Sequence, residues 1–167
     1  MRILGIDPGT EIIGFGIIDY DKRDTKTLDF GCIRTHRSIP PAERLHQIAQ
    51  DIKILISKWK PKILAIEKVF FSKNIKTAMS VSEARGVILE KAIENNLKVY
   101  EYSPTEIKLS ITGEGRADKK QIQKMIKILL SLQSEPASDD AADGLAVALC
   151  HGLLEQFSSL AKEKENQ

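Results

Sequence analysis

Apolar positions along the chain recur with two periods, and the changes of period mark the elements. Residues 2–7, 12–20 and 27–34 carry apolar runs of strand length, and Pro8-Gly9-Thr10 supplies a turn between the first two. The polar stretch from Asp19 to Lys26 reads as the hairpin into the third strand. Pro40-Pro41 opens a helix in which Leu45, Ile48, Ala49, Ile52, Leu55, Ile56 and Trp59 share one face. Pro61 ends that helix, and Lys62 to Glu67 forms a fourth strand whose core, Ile63-Leu64-Ala65-Ile66, is apolar throughout, as in a central strand covered on both faces. A loop over 68–76 leads to a long helix broken at Asn95-Asn96, and Leu97 to Glu101 is a short fifth strand. Ser103-Pro104 opens a short helix ending near Gly113, and Gly113-Glu114-Gly115 is a flexible loop. Ile122, Met125, Ile126, Leu129 and Leu130 define another amphipathic helix. Pro136 and Ser138 precede a last helix from about 139 to 157, and 158–167 reads as a frayed, solvated tail. Three strands followed by strands alternating with helices predict an α/β fold, a mixed sheet with helices packed on it, in a single domain over 1–157.

Composition narrows this little. A chain of 167 residues is of ordinary domain length, and at that length folding buries roughly 70% of the unfolded surface. Hydrophobic residues are 42% and charged residues 29%, and the net charge of +2 leaves any nucleic-acid reading to local charge. Asp7, Pro8, Glu11 and Asp19 interrupt the first twenty residues, so no secretory signal is expected. No apolar run reaches transmembrane length, and no membrane partner is expected. Cys32 and Cys150 form no C-x-x-C and lie in apolar stretches, which predicts buried thiols in a reducing, cytoplasmic compartment. His36, His46 and His151 lack metal-ligand spacing and read as structural or surface residues.

The acids change the picture. Asp7 ends the run Ile3-Leu4-Gly5-Ile6, and Glu67 ends the run Ile63 to Ile66. Each has a plain reading alone: a turn at Asp7-Pro8-Gly9, and a solvated strand end at Glu67 paired with Lys68. Ser138, Asp139 and Asp140 sit where a helix N-terminus favours polar and acidic side chains. That accounts for Asp139 well, Asp140 in part and Asp143 poorly, because dipole effects fade beyond the first turn. Asp140 and Asp143 lie about 60° apart on a helix. Ala142, Leu145, Ala146, Leu149 and Leu153 occupy its opposite side, while Val147, Cys150 and Leu154 continue the acidic side, so both acids are expected to point inward. Buried acids from distant parts of the sequence, without basic neighbours in sequence, favour a divalent cation such as Mg²⁺.

Taken together these residues become recognisable. Ile3-Leu4-Gly5-Ile6-Asp7-Pro8-Gly9-Thr10, Gly31-Cys32-Ile33-Arg34-Thr35, Ala65-Ile66-Glu67-Lys68-Val69-Phe70, Ala84-Arg85-Gly86-Val87 and Asp140-Ala141-Ala142-Asp143-Gly144-Leu145-Ala146 resemble, in order, the motifs of the RuvC family of Holliday-junction resolvases. The resemblance covers residues 1 to about 155. It implies a ribonuclease-H-like fold, a five-stranded mixed β-sheet flanked by α-helices. It also implies a homodimeric, Mg²⁺-dependent endonuclease acting on four-way DNA junctions in recombination and repair, with a RuvA-RuvB branch-migration complex as partner. It places catalytic metal ligands at Asp7, Glu67, Asp140 and Asp143. Two ions are implied, with Mn²⁺ as a substitute; Asp7 would bridge them, Glu67 would hold one, and Asp140 with Asp143 the other. Some relatives carry His at the last of these positions, where this chain has Asp; whether Asp139 contributes stays open.

DNA contacts need cations. Arg116, Lys119, Lys120, Lys124 and Lys127 face only Asp118 in their segment, which is either a solvated helix face or a phosphate-binding stripe. The resemblance marks Lys108 and Lys119, and Lys73 and Lys76 near Glu67 would extend the same groove. Phe70-Phe71 follows Glu67 closely, and one ring beside the cleavage site could stack on an unpaired base, worth about 1–3 kcal/mol; similarity to the family selects Phe70. The alternative is another ribonuclease-H-like nuclease acting on RNA/DNA hybrid or a ribosomal RNA precursor. An actin-like or sugar-kinase ATPase also opens on Asp-x-Gly-Thr but needs a second domain this chain lacks the length for. A non-catalytic DNA-binding module would not need the full set of acids.

Overall fold

The computed structural model describes residues 1–69, 75–136 and 138–165, without the side chains of 75–77 and 159–165. Phe70 and Lys73 lie outside the described residues, as does the side chain of Lys76. Among the described residues, β1 (Arg2–Asp7), β2 (Ile12–Asp19), β3 (Lys26–Arg34), β4 (Ile63–Glu67) and β5 (Lys98–Tyr102) form one sheet in the order β3-β2-β1-β4-β5. The three N-terminal strands pair antiparallel, while β1 with β4 and β4 with β5 pair parallel. The mixed sheet flanked by helices matches the expectation.

The helices are α1 (Pro41–Trp59), α2 (Ile75–Glu94), α3 (Pro104–Thr112), α4 (Lys119–Leu129) and α5 (Asp139–Glu165). Strand alternation divides the core in two. Ile3, Ile63 and Ala65 pack with Ile107 and Ile111 of α3, Ile122 and Ile126 of α4, and the apolar side of α5. Leu4, Ile6, Leu64 and Ile66 point the other way, against Ile48 and Ile52 of α1 and Ala84, Ile88 and Ala92 of α2. Side chains two apart on a strand share a face. Asp7 and Glu67 therefore project towards α5, two residues beyond Gly5 and Ala65.

Local chemistry fixes the element ends. Ser103 and Glu106 form a capping box at the start of α3, and Gly113 (φ 77°) closes that helix. Asp118 and Gln121 form a second capping box on α4. No breaker follows Phe157, and α5 runs past the expected end at 157 to Glu165; Ala161, Lys162, Glu163, Lys164 and Glu165 are good helix formers. Among the described residues no helix is long and apolar enough to cross a membrane.

Candidate active site

Asp7 and Glu67 are the last residues of β1 and β4, and the parallel pairing Ile6↔Ile66 sets the two strand ends side by side. The third and fourth acids arrive on α5. That helix crosses the sheet in direct backbone contact. A Cβ on Gly14 of β2 would fall on the carbonyl oxygen of Asp140, and a Cβ on Gly144 would meet the backbone of Phe15 at 2.5 Å. Glycine at both positions lets the first turns of α5 settle onto β2, which carries Asp140 and Asp143 towards Asp7.

The result is an open cleft of about 180 Å³. Asp7, Glu67 and Asp143 line it with Lys108 of α3 and Lys119 of α4, and Ile107, Ile122 and Ala146 supply apolar wall. A neighbouring hollow shares Asp7 and Glu67 and adds Lys68, Val69 and Val81. Burial pushes the Asp7 carboxyl up to about 7, and the charges of Asp143 and Asp140 add to it against the opposing pull of Lys119. Burial likewise raises Glu67 to about 8, helped by Asp7 and Asp143 and opposed by Lys108. Asp143 is raised by burial even though Lys119 Nζ stands 3.8 Å from its Oδ2. That lysine is 67% exposed, so water screens the pair and burial prevails. Asp140 acts on Asp7 and Asp143 through its charge without lining either hollow.

Acids held this far from their ordinary range by burial and mutual repulsion, with lysines as opposing charges, have the hard oxygen donors that a divalent cation takes. Among the described residues no three such side chains stand at ligating geometry. Electrostatic coupling reaches farther than a coordination bond, so the acids influence one another without touching.

The sequence-level candidates divide clearly. Asp7, Glu67, Asp143, Lys108 and Lys119 meet in one cleft. Arg116 and Lys120 are exposed and do not line it. The stripe read as opposed only by Asp118 is not so free: Lys119 also approaches Asp139 Oδ2 at 3.6 Å. Likewise, Asp143 has a basic partner, from a distant part of the sequence. Asp139 also accepts a hydrogen bond from Gln123 Nε2 at 2.8 Å and so faces α4. Cys150 is buried as expected, but Cys32 on edge strand β3 is only half-buried.

Sequence reasoning missed Arg44, which donates to the Thr10 carbonyl (2.7 Å) and to Thr35 Oγ1 (3.2 Å), pinning the turn after Asp7. His151, expected to be a structural or surface residue, is structural: it is 1% exposed and hydrogen-bonded to Tyr102.

The family model for crossover junction endodeoxyribonuclease RuvC matches residues 3–151. The chain belongs to the RuvC family. It is 50% identical over 166 residues to a crossover junction endodeoxyribonuclease RuvC from Caldicellulosiruptor saccharolyticus, covering 99% of each chain. It is 45% identical over 164 residues to that of Finegoldia magna, covering 98% of this chain and 100% of the relative. Thermus thermophilus RuvC in complex with a Holliday junction substrate superposes with a TM-score of 0.90 at 29% identity, over 95% of this chain and 96% of that one. The yeast mitochondrial Holliday junction resolvase Ydc2, at 14% identity and a TM-score of 0.66 over 97% of this chain and 85% of that one, shares the fold. That fold is the ribonuclease-H-like one.

Proposed function

We propose that this protein is a structure-selective endonuclease that resolves four-way DNA junctions by paired nicking of two strands of like polarity. The observation that carries the reading is the convergence of Asp7, Glu67 and Asp143 with Lys108 and Lys119 on one open cleft, in a chain of the RuvC family. Asp7, Glu67, Asp140 and Asp143 would hold two Mg²⁺ ions, or Mn²⁺ in their place. Bound there, the cations supply a Lewis acid for the scissile phosphate and a water acidic enough to attack at neutral pH.

The chain's own residues account for the rest. The carboxylates give up the protons that burial favours when they take a cation. Lys119 is exchangeable between Asp143 and a phosphate oxygen, because exposed ion pairs are weak. Lys108, which lines the same cleft, would bear on the same backbone. Ile107, Ile122 and Ala146 limit water on one wall. Arg116, Lys120, Lys73 and Lys76 are proposed as outer phosphate contacts, and Phe70 as a ring that stacks on an unpaired base. A homodimer would supply two sites for two cuts, and a RuvA-RuvB complex is the proposed motor partner. The two cysteines, free among the described residues, suit a cytoplasmic setting.

The test is incubation of the purified protein with a synthetic mobile four-way junction, an RNA/DNA hybrid and a linear duplex, with and without Mg²⁺. Metal-dependent conversion of the junction alone into two nicked duplexes is the expected result. Preferential cutting of the hybrid would replace this reading with a hybrid nuclease.

A further inference from the structure

The cleft is assembled from elements that also meet at a half-buried contact outside it. Tyr102 is the last residue of β5 and the register partner of Glu67. Its hydroxyl lies 2.7 Å from Nδ1 of His151, two turns along α5 from Asp143. The Tyr100 ring also packs on that imidazole, with centroids 4.4 Å apart.

We propose that the Tyr102–His151 hydrogen bond is a positioning contact that sets the separation between the Glu67 side and the Asp143 side of the cleft. The inference rests on the functional reading above. Three connections converge on Tyr102. Its carbonyl accepts from the N–H of Lys68, the residue after Glu67, at 2.8 Å. The next residue, Ser103, caps α3, which carries Lys108 into the cleft. Its hydroxyl reaches α5, which carries Asp143. A shift of α5 along the sheet would therefore have to break this contact or drag the β5 end with it.

The chemistry of the contact makes it selective for one arrangement. His151 is buried, and its Nε2 has no hydrogen-bond partner among the described residues. The Tyr102 hydroxyl is thus the polar tie of the ring here, and losing it would strand a second buried polar atom. Burial holds the imidazole below its ordinary range and the phenol above its own, so both are neutral around pH 7. A neutral pair keeps its geometry without adding charge beside acids that already repel.

The test compares wild type with Tyr102→Phe, which removes one oxygen and keeps the ring. Mn²⁺ binding is measured by calorimetry without DNA, alongside single-turnover junction cleavage and metal-free junction affinity. Tyr102→Phe is expected to weaken Mn²⁺ binding and slow cleavage by about tenfold, because a small misplacement of the elements that carry the acids is felt at the site. Metal-free junction affinity should stay within about twofold. His151→Asn, which keeps a polar atom near the Nδ1 position, should retain more Mn²⁺ affinity than His151→Leu; this pair also decides the matter if Tyr102→Phe fails to fold. Ile126→Val, a loss of packing in the same core, controls for general loosening and should bind Mn²⁺ like wild type. Equal Mn²⁺ binding and cleavage in wild type and Tyr102→Phe would overturn the positioning role alone, as would equal loss in Ile126→Val. A wild-type protein that neither binds Mn²⁺ nor cuts junctions would overturn the functional reading itself.

Discussion

At the residue scale, the raised carboxyls of Asp7 and Glu67 have consequences in solution. Their ordinary values near 4 belong to the unfolded chain, and the folded values are about 7 and about 8. Between these limits these two groups bind more protons in the folded state than in the unfolded one, so their contribution to metal-free stability is largest at low pH and declines as pH rises through that window. Thermal unfolding in chelator should show the melting temperature falling from pH 5 to pH 8, with a shallower slope in Asp7→Asn. Cation binding should release protons, so the Mg²⁺ concentration for half-maximal cleavage should fall as pH rises across the same range. A slope of the opposite sign would show that the two acids are not held protonated. In Glu67→Gln, which keeps size and removes charge, cleavage should drop by several orders of magnitude while metal-free junction binding survives or tightens. Near-wild-type cleavage in that variant would remove Glu67 from the site.

At the scale of elements, the cleft depends on α5 lying directly on β2. Gly14→Ala places a methyl on the Asp140 carbonyl, and overpacking of this kind costs about 1–3 kcal/mol. The variant should melt lower and bind Mn²⁺ more weakly than an equally destabilised core variant, because the strain falls on the turn that carries the acids. Equal metal binding at matched stability would show that α5 placement tolerates more than the geometry suggests. This level is also where the sequence was least readable. The strand ends at Asp7 and Glu67 could be located from their apolar runs, and the Asp140/Asp143 face from helical spacing. Their convergence could not, because it depends on strand order: β4 pairs with β1 across a long connection. The pairing of Lys119 with Asp143 and the Tyr102–His151 contact join elements whose adjacency no local pattern encodes. The end of α5 was misjudged for a simpler reason, since a polar segment rich in Lys and Glu satisfies both a frayed tail and a helix.

At the scale of the molecule, one cleft per chain has to account for two cuts. A two-fold homodimer is the economical arrangement, since an isologous contact presents two identical sites. Met79 and Ile93 on α2 are 60% and 63% exposed while Ala84, Ile88 and Ala92 of the same helix are buried. That makes the outer side of α2 the proposed interface. Sedimentation should give about twice the chain mass of 18.6 kDa, and Ile93→Glu or Met79→Glu should shift it towards the monomer and uncouple the two nicks. A monomer that still cuts both strands together would defeat the two-site model. The most direct test of the central claim is quantitative cleavage of a mobile four-way junction in Mg²⁺ by wild type and Asp7→Asn side by side. Wild type should yield two nicked duplexes, cut at matching points on strands of like polarity, and the variant essentially none. Junction resolution undiminished in Asp7→Asn, or wild-type cutting that is no faster on the junction than on linear duplex, would contradict that claim.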